Sequence, residues 1–168
     1  MHKVSFAEMR CSLARSLDVI GDWWTLLIIR DIYLGVCRFD DMAEDLGISR
    51  NLLATRLKGL LDAGIVTREP YQARPERHDY HLAPAGADLV PVILALTAWG
   101  DRWVQPPEGQ PIMFTHDNCG CVLDAQVTCA ACGKPVAADN VSAKPGPGGA
   151  DLPGTRVIAR RLARMSRQ

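Results

Sequence analysis

The chain has 168 residues, of which 48% are hydrophobic and 23% are charged, and its formal net charge at pH 7 is zero. This length allows one principal domain and a small additional module. Every apolar run is shorter than the ~18 residues that suggest a membrane-spanning helix, and the charged N-terminus is unlike a signal peptide. We therefore expect a soluble, cytoplasmic protein without a membrane partner.

Charge is distributed unevenly along the chain. Residues 18–45 contain two basic and seven acidic side chains, whereas residues 49–78 contain six basic and three acidic ones. A neutral total says little about a polyanionic partner, but a local excess of basic residues indicates where one would bind.

The first half of the chain carries four helical patterns. Residues 8–20 repeat apolar side chains every three or four positions, and residues 23–35 are apolar on nearly all sides, which predicts a buried central helix with Asp22 as its N-cap. Trp23 and Trp24 are expected to pack in the core, although they could instead line an effector pocket. A short acidic helix is predicted next, over residues 39–47.

The fourth pattern predicts a helix from about Arg50 to Ala63, capped by Ser49. Two stripes run along it. The core stripe contains Leu53, Leu57, Leu60 and Leu61. The second stripe contains Arg50, Asn51, Ala54, Thr55 and Lys58. A short turn around Gly47 joins this helix to the preceding one, so the pair forms a helix-turn-helix with the second stripe as its reading surface.

This surface has the side chains that contact DNA. We predict that Arg50, Asn51 and Thr55 contact base edges and that Ser49 and Lys58 contact phosphates of double-stranded DNA. An ordinary solvated helix face has a similar composition, so this interpretation depends on the elements around it.

Two β-type runs follow, at residues 65–71 and 77–83, joined by a polar loop that contains Pro75. A hairpin directly after a helix-turn-helix is a wing. Arg74 and Arg77 would lie at its tip or base, where a cation reaches phosphates or the minor groove.

Residues 84–104 predict a long helix, which Pro91 either bends or shortens to a later start. Its two tryptophans give it more apolar surface than the winged domain can cover, which favours dimerisation. The fold class is therefore mainly α with a small β wing, a winged helix-turn-helix over residues 1–104. Residues 105–113 form a linker.

Four of the six cysteines fall within 14 residues, in a module that we place at residues 114–141. Two knuckles of matched spacing predict a small zinc-ribbon-like β-hairpin module with a closed structural zinc site. Its ligands would be His116, Cys119, Cys129 and Cys132. Cys121 could replace the histidine, and a metal-free hairpin is the remaining alternative.

Residues 142–168 form a Pro/Gly-rich segment and a basic tail. The tail fits either a short amphipathic helix or a frayed end. Its five arginines are Arg156, Arg160, Arg161, Arg164 and Arg167.

Residues 11–103 carry several motifs in order. They are IG-x-WWT-x-LI-x-R from Ile20, RF at 38–39, GIS-x-x-x-L-x-x-RL-x-x-L-x-x-AGIV-x-R from Gly47, and Y-x-L-x-x-x-G from Tyr80. In these motifs the chain resembles the HxlR family of bacterial, MarR-like winged-helix transcriptional regulators. The resemblance implies a homodimer that binds operator DNA through the helix at 49–63 and the wing at 71–78.

Some members of that family sense oxidants or electrophiles through a cysteine placed like Cys11, which makes Cys11 a sensor candidate. Reactive thiolates need nearby positive charge and solvent access, and Arg10 and Arg15 are close in sequence. The alternative is a small packing residue on the apolar face of its helix. Cys37 is expected to be a packing residue.

The expected function is that of a sequence-specific DNA-binding transcriptional regulator, a homodimer on a near-palindromic operator, responsive to a small-molecule or thiol-reactive signal. The alternative is a winged-helix adaptor that docks proteins through the zinc-type hairpin. An enzyme is not expected, because the predicted metal site is closed and no set of nucleophile, base and orienting residue is recognisable.

Overall fold

The computed structural model describes residues 5–148 and 152–165. Its elements are α1 (Ser12–Ile20), α2 (Trp23–Tyr33), α3 (Phe39–Leu46), α4 (Arg50–Asp62), β1 (Val66–Ala73), β2 (Glu76–Leu82), α5 (Pro84–Ala87), α6 (Val90–Trp103), β3 (Thr115–His116), β4 (Cys121–Val122) and α7 (Arg156–Met165). The mainly helical fold with a small antiparallel sheet confirms the predicted class. No helix within these two ranges is long and apolar enough to cross a membrane.

The core is built around α2, as its apolar sequence predicts. Ile28 and Ile29 are completely buried, and they belong to one cluster with Met42 of α3 and with the leucines of α4. Three of the four predicted leucines of that stripe are buried, and Leu61 packs against the cluster half-buried. This packing fixes the orientation of α4.

The turn between α3 and α4 has the geometry of a helix-turn-helix. Gly47 adopts a left-handed conformation with φ of 60°, which ends α3 at low steric cost. Ser49 then caps α4, accepting a hydrogen bond from the N–H of Leu52 at 3.4 Å. Asp22 caps α2 in the same way, as predicted, through the N–H of Trp24 at 3.1 Å.

The wing is longer than the sequence pattern indicated. β1 and β2 pair from Val66↔Leu82 to Ala73↔Glu76, so the strands extend through most of the segment predicted to be a loop. An additional bridge joins Arg38 to Asp79 and ties the start of α3 to the wing.

The predicted helix over residues 84–104 is two helices, separated at residues 88–89. α6 begins at Val90, so Pro91 lies in its first turn, where the missing N–H of proline leaves no hydrogen bond unmade. Of the two outcomes expected for Pro91, the later helix start is the one observed.

The expectation that Trp23 packs in the core is wrong. Its side chain is 90% exposed, whereas Trp24 packs against the core cluster. Consecutive helical residues point in directions about 100° apart, so only one of the pair can share the face of Ile28. Trp23 instead shares the outer face with Leu27, which is also exposed.

The basic tail forms the helix α7, over Arg156–Met165, which was one of the two expected outcomes. Arg167 lies outside the described residues, as do residues 1–4 and 149–151 of the predicted segments. The boundaries predicted for the linker and the C-terminal module stay predictions.

Candidate nucleic-acid interface

The predicted reading stripe lies on the solvent side of α4. The four stripe residues predicted to contact DNA and the N-cap residue Ser49 are all exposed: Ser49, Arg50, Asn51, Thr55 and Lys58. The leucines on the opposite side of the helix are buried in the core. One face of α4 therefore packs against the core, and the other face is exposed to solvent.

Several of these side chains already have partners within the chain. The hydroxyl of Thr55 donates to the carbonyl of Asn51 at 2.8 Å, which leaves its oxygen able to accept a further hydrogen bond. Lys58 pairs with Asp62 one turn later at 2.6 Å. An exposed pair of this kind contributes ~0–1 kcal/mol, so Lys58 can exchange that partner for a phosphate at little cost.

Arg50 is held at the start of α4 by two contacts. Its guanidinium lies 2.6 Å from Asp40 Oδ1 and 5.1 Å from the ring centroid of Phe39. Both partners belong to the first turn of α3. The side chain remains mostly exposed, at 68%, so the pair orients Arg50 without removing it from the surface.

The ion pair gives a testable expectation for Asp40. Replacing Asp40 by Asn frees Arg50 and removes a negative charge from the proposed DNA surface, so affinity for the operator should rise by roughly two- to tenfold. Fluorescence anisotropy of a labelled operator duplex measures this change. Asp41→Asn is the matched control, since it removes the same charge from the same helix turn and leaves the Arg50–Asp40 pair intact. Equal affinities for the two variants would show that the pair does not restrain Arg50.

The wing and α4 meet at one cleft. The cleft has a volume of about 310 Å³, and Arg50 and Arg77 both line it, together with Tyr71 of β1. Arg74 lies at the exposed turn of the wing, beyond the strand ends. The structure thus brings the helix arginine and one predicted wing arginine together, with the second wing arginine at the tip.

Arg38 is a member of this surface that the reasoning on individual residues missed. It precedes α3, its guanidinium lies 4.7 Å from the ring centroid of Tyr71, and its Nε lies 3.4 Å from Asp79 Oδ1. The side chain is 57% exposed, so it can reach a phosphate while it braces the wing. The RF motif at residues 38–39 was the sequence feature that could have identified Arg38 as part of this surface.

The cysteines of the winged domain have different surroundings. Cys37 is half-buried and its Sγ lies 3.9 Å from the carbonyl oxygen of Ile32. Burial raises the pKa of the Cys37 thiol, which fits a packing role. Cys11 occupies the N-cap position of α1, also half-buried. Its role as a sensor stays a prediction.

The predicted zinc ligands form two separate pairs. Cys119 Sγ lies 3.4 Å from His116 Nδ1 in one pair, and in the other the N–H of Cys132 donates to the carbonyl of Cys129 at 3.3 Å. The pKa of Cys119 is lowered by a hydrogen bond from the backbone of Cys121, and that of Cys129 by hydrogen bonds from the backbone of Ala131 and Cys132. Across residues 5–148 and 152–165, no three His, Cys, Asp or Glu side chains form a metal-binding group. The zinc site stays a prediction.

Sequence comparison shows close relatives of the chain. A helix-turn-helix-type transcriptional regulator of Mycobacterium tuberculosis, Rv3095, is 44% identical over 137 residues, which cover 82% of this chain and 87% of the relative. A second such regulator, from Synechocystis, is 29% identical over 67% of this chain and 77% of its own length.

Solved structures show the same fold. The crystal structure of a transcription factor candidate, PA1607, covers 85% of this chain and 100% of its own, with a TM-score of 0.74 and 30% identity. The redox regulator HypR in its reduced form matches 56% of this chain and 96% of its own, with a TM-score of 0.50 and 29% identity.

Residues 19–108 match the model of the HxlR-like helix-turn-helix family. The match covers more than half of the chain and spans α2 to α6, the elements that position the reading face and the wing. The family and the named relatives are transcriptional regulators, which confirms that the chain is not an enzyme. The chain belongs to the HxlR-like helix-turn-helix family and is a DNA-binding transcriptional regulator.

Proposed function

We propose that the chain regulates transcription as a homodimer that binds a near-palindromic operator. The observation that carries this proposal is the joint placement of Arg50 and Arg77 on one cleft, beside a helix face that is exposed along its length. α4 enters the major groove, and the wing follows the adjacent backbone.

The roles of the individual side chains follow from their chemistry. Arg50, Asn51 and Thr55 read base edges, because their donors and acceptors project from the N-terminal half of α4. The other proposed DNA-contacting residues bind phosphates or the minor groove: Ser49, Lys58, Arg74 and Arg77. Arg38 joins this group because of its position beside the wing.

A second copy of the chain covers an apolar face centred on α6. Val92, Leu96, Trp99 and Trp103 repeat at helical spacing along this helix and are all more than half exposed. Other faces of α6 are occupied, since Ile93 packs on the core and Leu94 lines a small cavity shared with the segment 110–125. Exposed stripes of this size mark interfaces, and a symmetric operator requires a symmetric pair of reading helices.

Two features of the winged domain support regulation of DNA binding by a chemical signal. Cys11 is half-buried at the start of α1, and the similar protein HypR is a redox regulator. A cavity of about 370 Å³ also lies between the α1–α2 turn and α4, lined by Asp22, Thr55 and Arg56 among others. A small-molecule effector bound there would touch the helix that reads DNA.

Salt titration tests the proposal. Each phosphate contact contributes about −0.9 to the slope of log K against log salt concentration, so four phosphate-binding cations per subunit predict a slope of roughly −7 for the dimer. The measurement uses the duplex upstream of the chain's own gene, with a scrambled duplex as control. Specific binding should exceed control binding by roughly 10³-fold or more. Equal, weak affinity for both duplexes would contradict the proposal.

A further inference from the structure

The C-terminal module is a structural repeat with an offset of 13 residues. Two short hairpins, 114–123 and 127–136, close with the same hydrogen bond: the N–H of Leu123 donates to the carbonyl of Phe114 at 2.8 Å, and that of Val136 to the carbonyl of Val127 at 2.9 Å. The residue pairs next to this closing hydrogen bond also match, because Thr115 pairs with Val122 in the first hairpin and Thr128 bridges to Pro135 in the second.

The tips of the two hairpins have the same turn. In each tip, the N–H groups of the fourth and fifth turn residues donate to the carbonyl of the first, and the fifth is a glycine with φ of +69°. The distances are 3.1 and 2.8 Å for Cys119 and Gly120 to His116, and 3.3 and 2.7 Å for Cys132 and Gly133 to Cys129. Each tip therefore presents two metal-ligating side chains from equivalent positions, His and Cys in one and Cys and Cys in the other.

Burial of apolar side chains does not explain how this module is held. From residue 115 to residue 148 every residue is exposed except Leu123 and Ala125, which are half-buried. Its four cysteines are free thiols. Segments of fewer than ~40 residues without a core usually depend on disulfides, a metal or a partner for their structure.

We propose that one Zn²⁺ joins the two tips through His116, Cys119, Cys129 and Cys132. Three thiols and one imidazole are a ligand set for tetrahedral structural zinc. Binding releases the three thiol protons to solvent and leaves no open position on the ion. Since the four backbone hydrogen bonds of the tips each join residues of one hairpin, the ion supplies the connection between the hairpins.

The repeat also decides between His116 and Cys121 as the fourth ligand. Cys121 occupies the position of Lys134 in the second hairpin, one residue beyond the tip glycine, whereas His116 occupies the position of Cys129. Cys121 is paired across its own hairpin with His116. Because its equivalent in the second hairpin is a lysine, Cys121 lies outside the two matched pairs of tip positions and outside the ligand set.

The two tips are not assembled in the structure described, where residues 5–148 and 152–165 contain no metal-binding group of three or more such side chains. Residues 124–126 connect the hairpins. Zinc binding therefore has to bring the tips together, and it should protect the module from proteolysis.

Metal analysis of the full-length chain, purified with zinc present and dialysed against metal-free buffer, tests the site. We expect one zinc per subunit in the wild-type chain and less than about a tenth of that in Cys129→Ser and Cys132→Ser, since a lost ligand opens the site. Cys121→Ser is the matched control and should retain the zinc. His116→Ala should weaken zinc binding by at least about tenfold in competition with a chelator.

Cobalt provides a second measurement on the same proteins. Substitution by Co²⁺ should give the visible absorption bands of a tetrahedral thiolate site in the wild-type chain and in Cys121→Ser. Circular dichroism of each variant checks that the helices of the winged domain remain folded. Three results would overturn the proposal: a metal-free wild-type chain with six reactive thiols, a disulfide among the four cysteines, or zinc loss in Cys121→Ser equal to that in Cys129→Ser.

Discussion

Replacing Arg50 by Glu is expected to abolish specific operator binding. The change removes the donor that we place on a base edge and puts a negative charge against the phosphate backbone. A good side-chain contact to a base contributes about 1–3 kcal/mol, and charge repulsion adds to its loss, so affinity should fall by roughly 100-fold or more. Anisotropy titration of the operator duplex at fixed salt concentration measures the loss.

The fold should tolerate this substitution. Arg50 is the first residue of α4 and is 68% exposed, and an acidic residue in the first turn of a helix interacts favourably with the helix dipole. Arg68→Glu is the control, because it makes the same charge change within the basic segment but near the base of the wing, where it pairs with Tyr80. We expect Arg68→Glu to weaken binding by less than about fivefold.

This experiment also separates the regulator from the adaptor alternative. Arg74→Glu, at the tip of the wing, should weaken operator binding as well, while light scattering shows an unchanged oligomer. If both reversals leave binding to the operator unchanged in an intact dimer, the winged domain contacts something other than DNA through this surface.

The sequence predicts α4 well because its two stripes are local properties. Leucines at intervals of three and four residues can share one face only in a helix, and that face has to be buried. The exposed positions of Asn51 and Thr55 follow from the same geometry. Ser49 and Gly47 set the helix ends through their own backbone and capping preferences, which are local too.

Features that depend on distant contacts were harder to predict. The extent of the wing follows from pairing between β1 and β2, and Pro75 in the polar stretch suggested a loop there. Arg38 joins the surface only because the chain before α3 bridges to β2. Trp23 is an apolar residue of the kind usually found in a core, yet it occupies a helix face that the described part of the chain leaves exposed.

Replacing Leu96 by Glu is expected to convert the proposed dimer to a monomer. Leu96 lies between Val92 and Trp99 on the exposed face of α6, at 51% exposure. In the single chain the substitution changes an exposed position, so the free energy of unfolding of the monomer should change by only about 0.5 kcal/mol. In a dimer it would bury an unpaired carboxylate, which costs several kcal/mol and should weaken association by roughly 100-fold or more.

Sedimentation equilibrium measures the dissociation constant, and the same samples are titrated with operator DNA. Operator affinity should fall with dimer formation, because two half-sites bound independently lose the effective concentration that a dimer provides. Val141→Glu is the control, since it places the same charge at an apolar side chain of 61% exposure in the C-terminal module. A Leu96→Glu variant that keeps the wild-type dimer mass would place the interface elsewhere. Coupled loss of dimer and operator binding would identify α6 as the element that spaces the two reading helices.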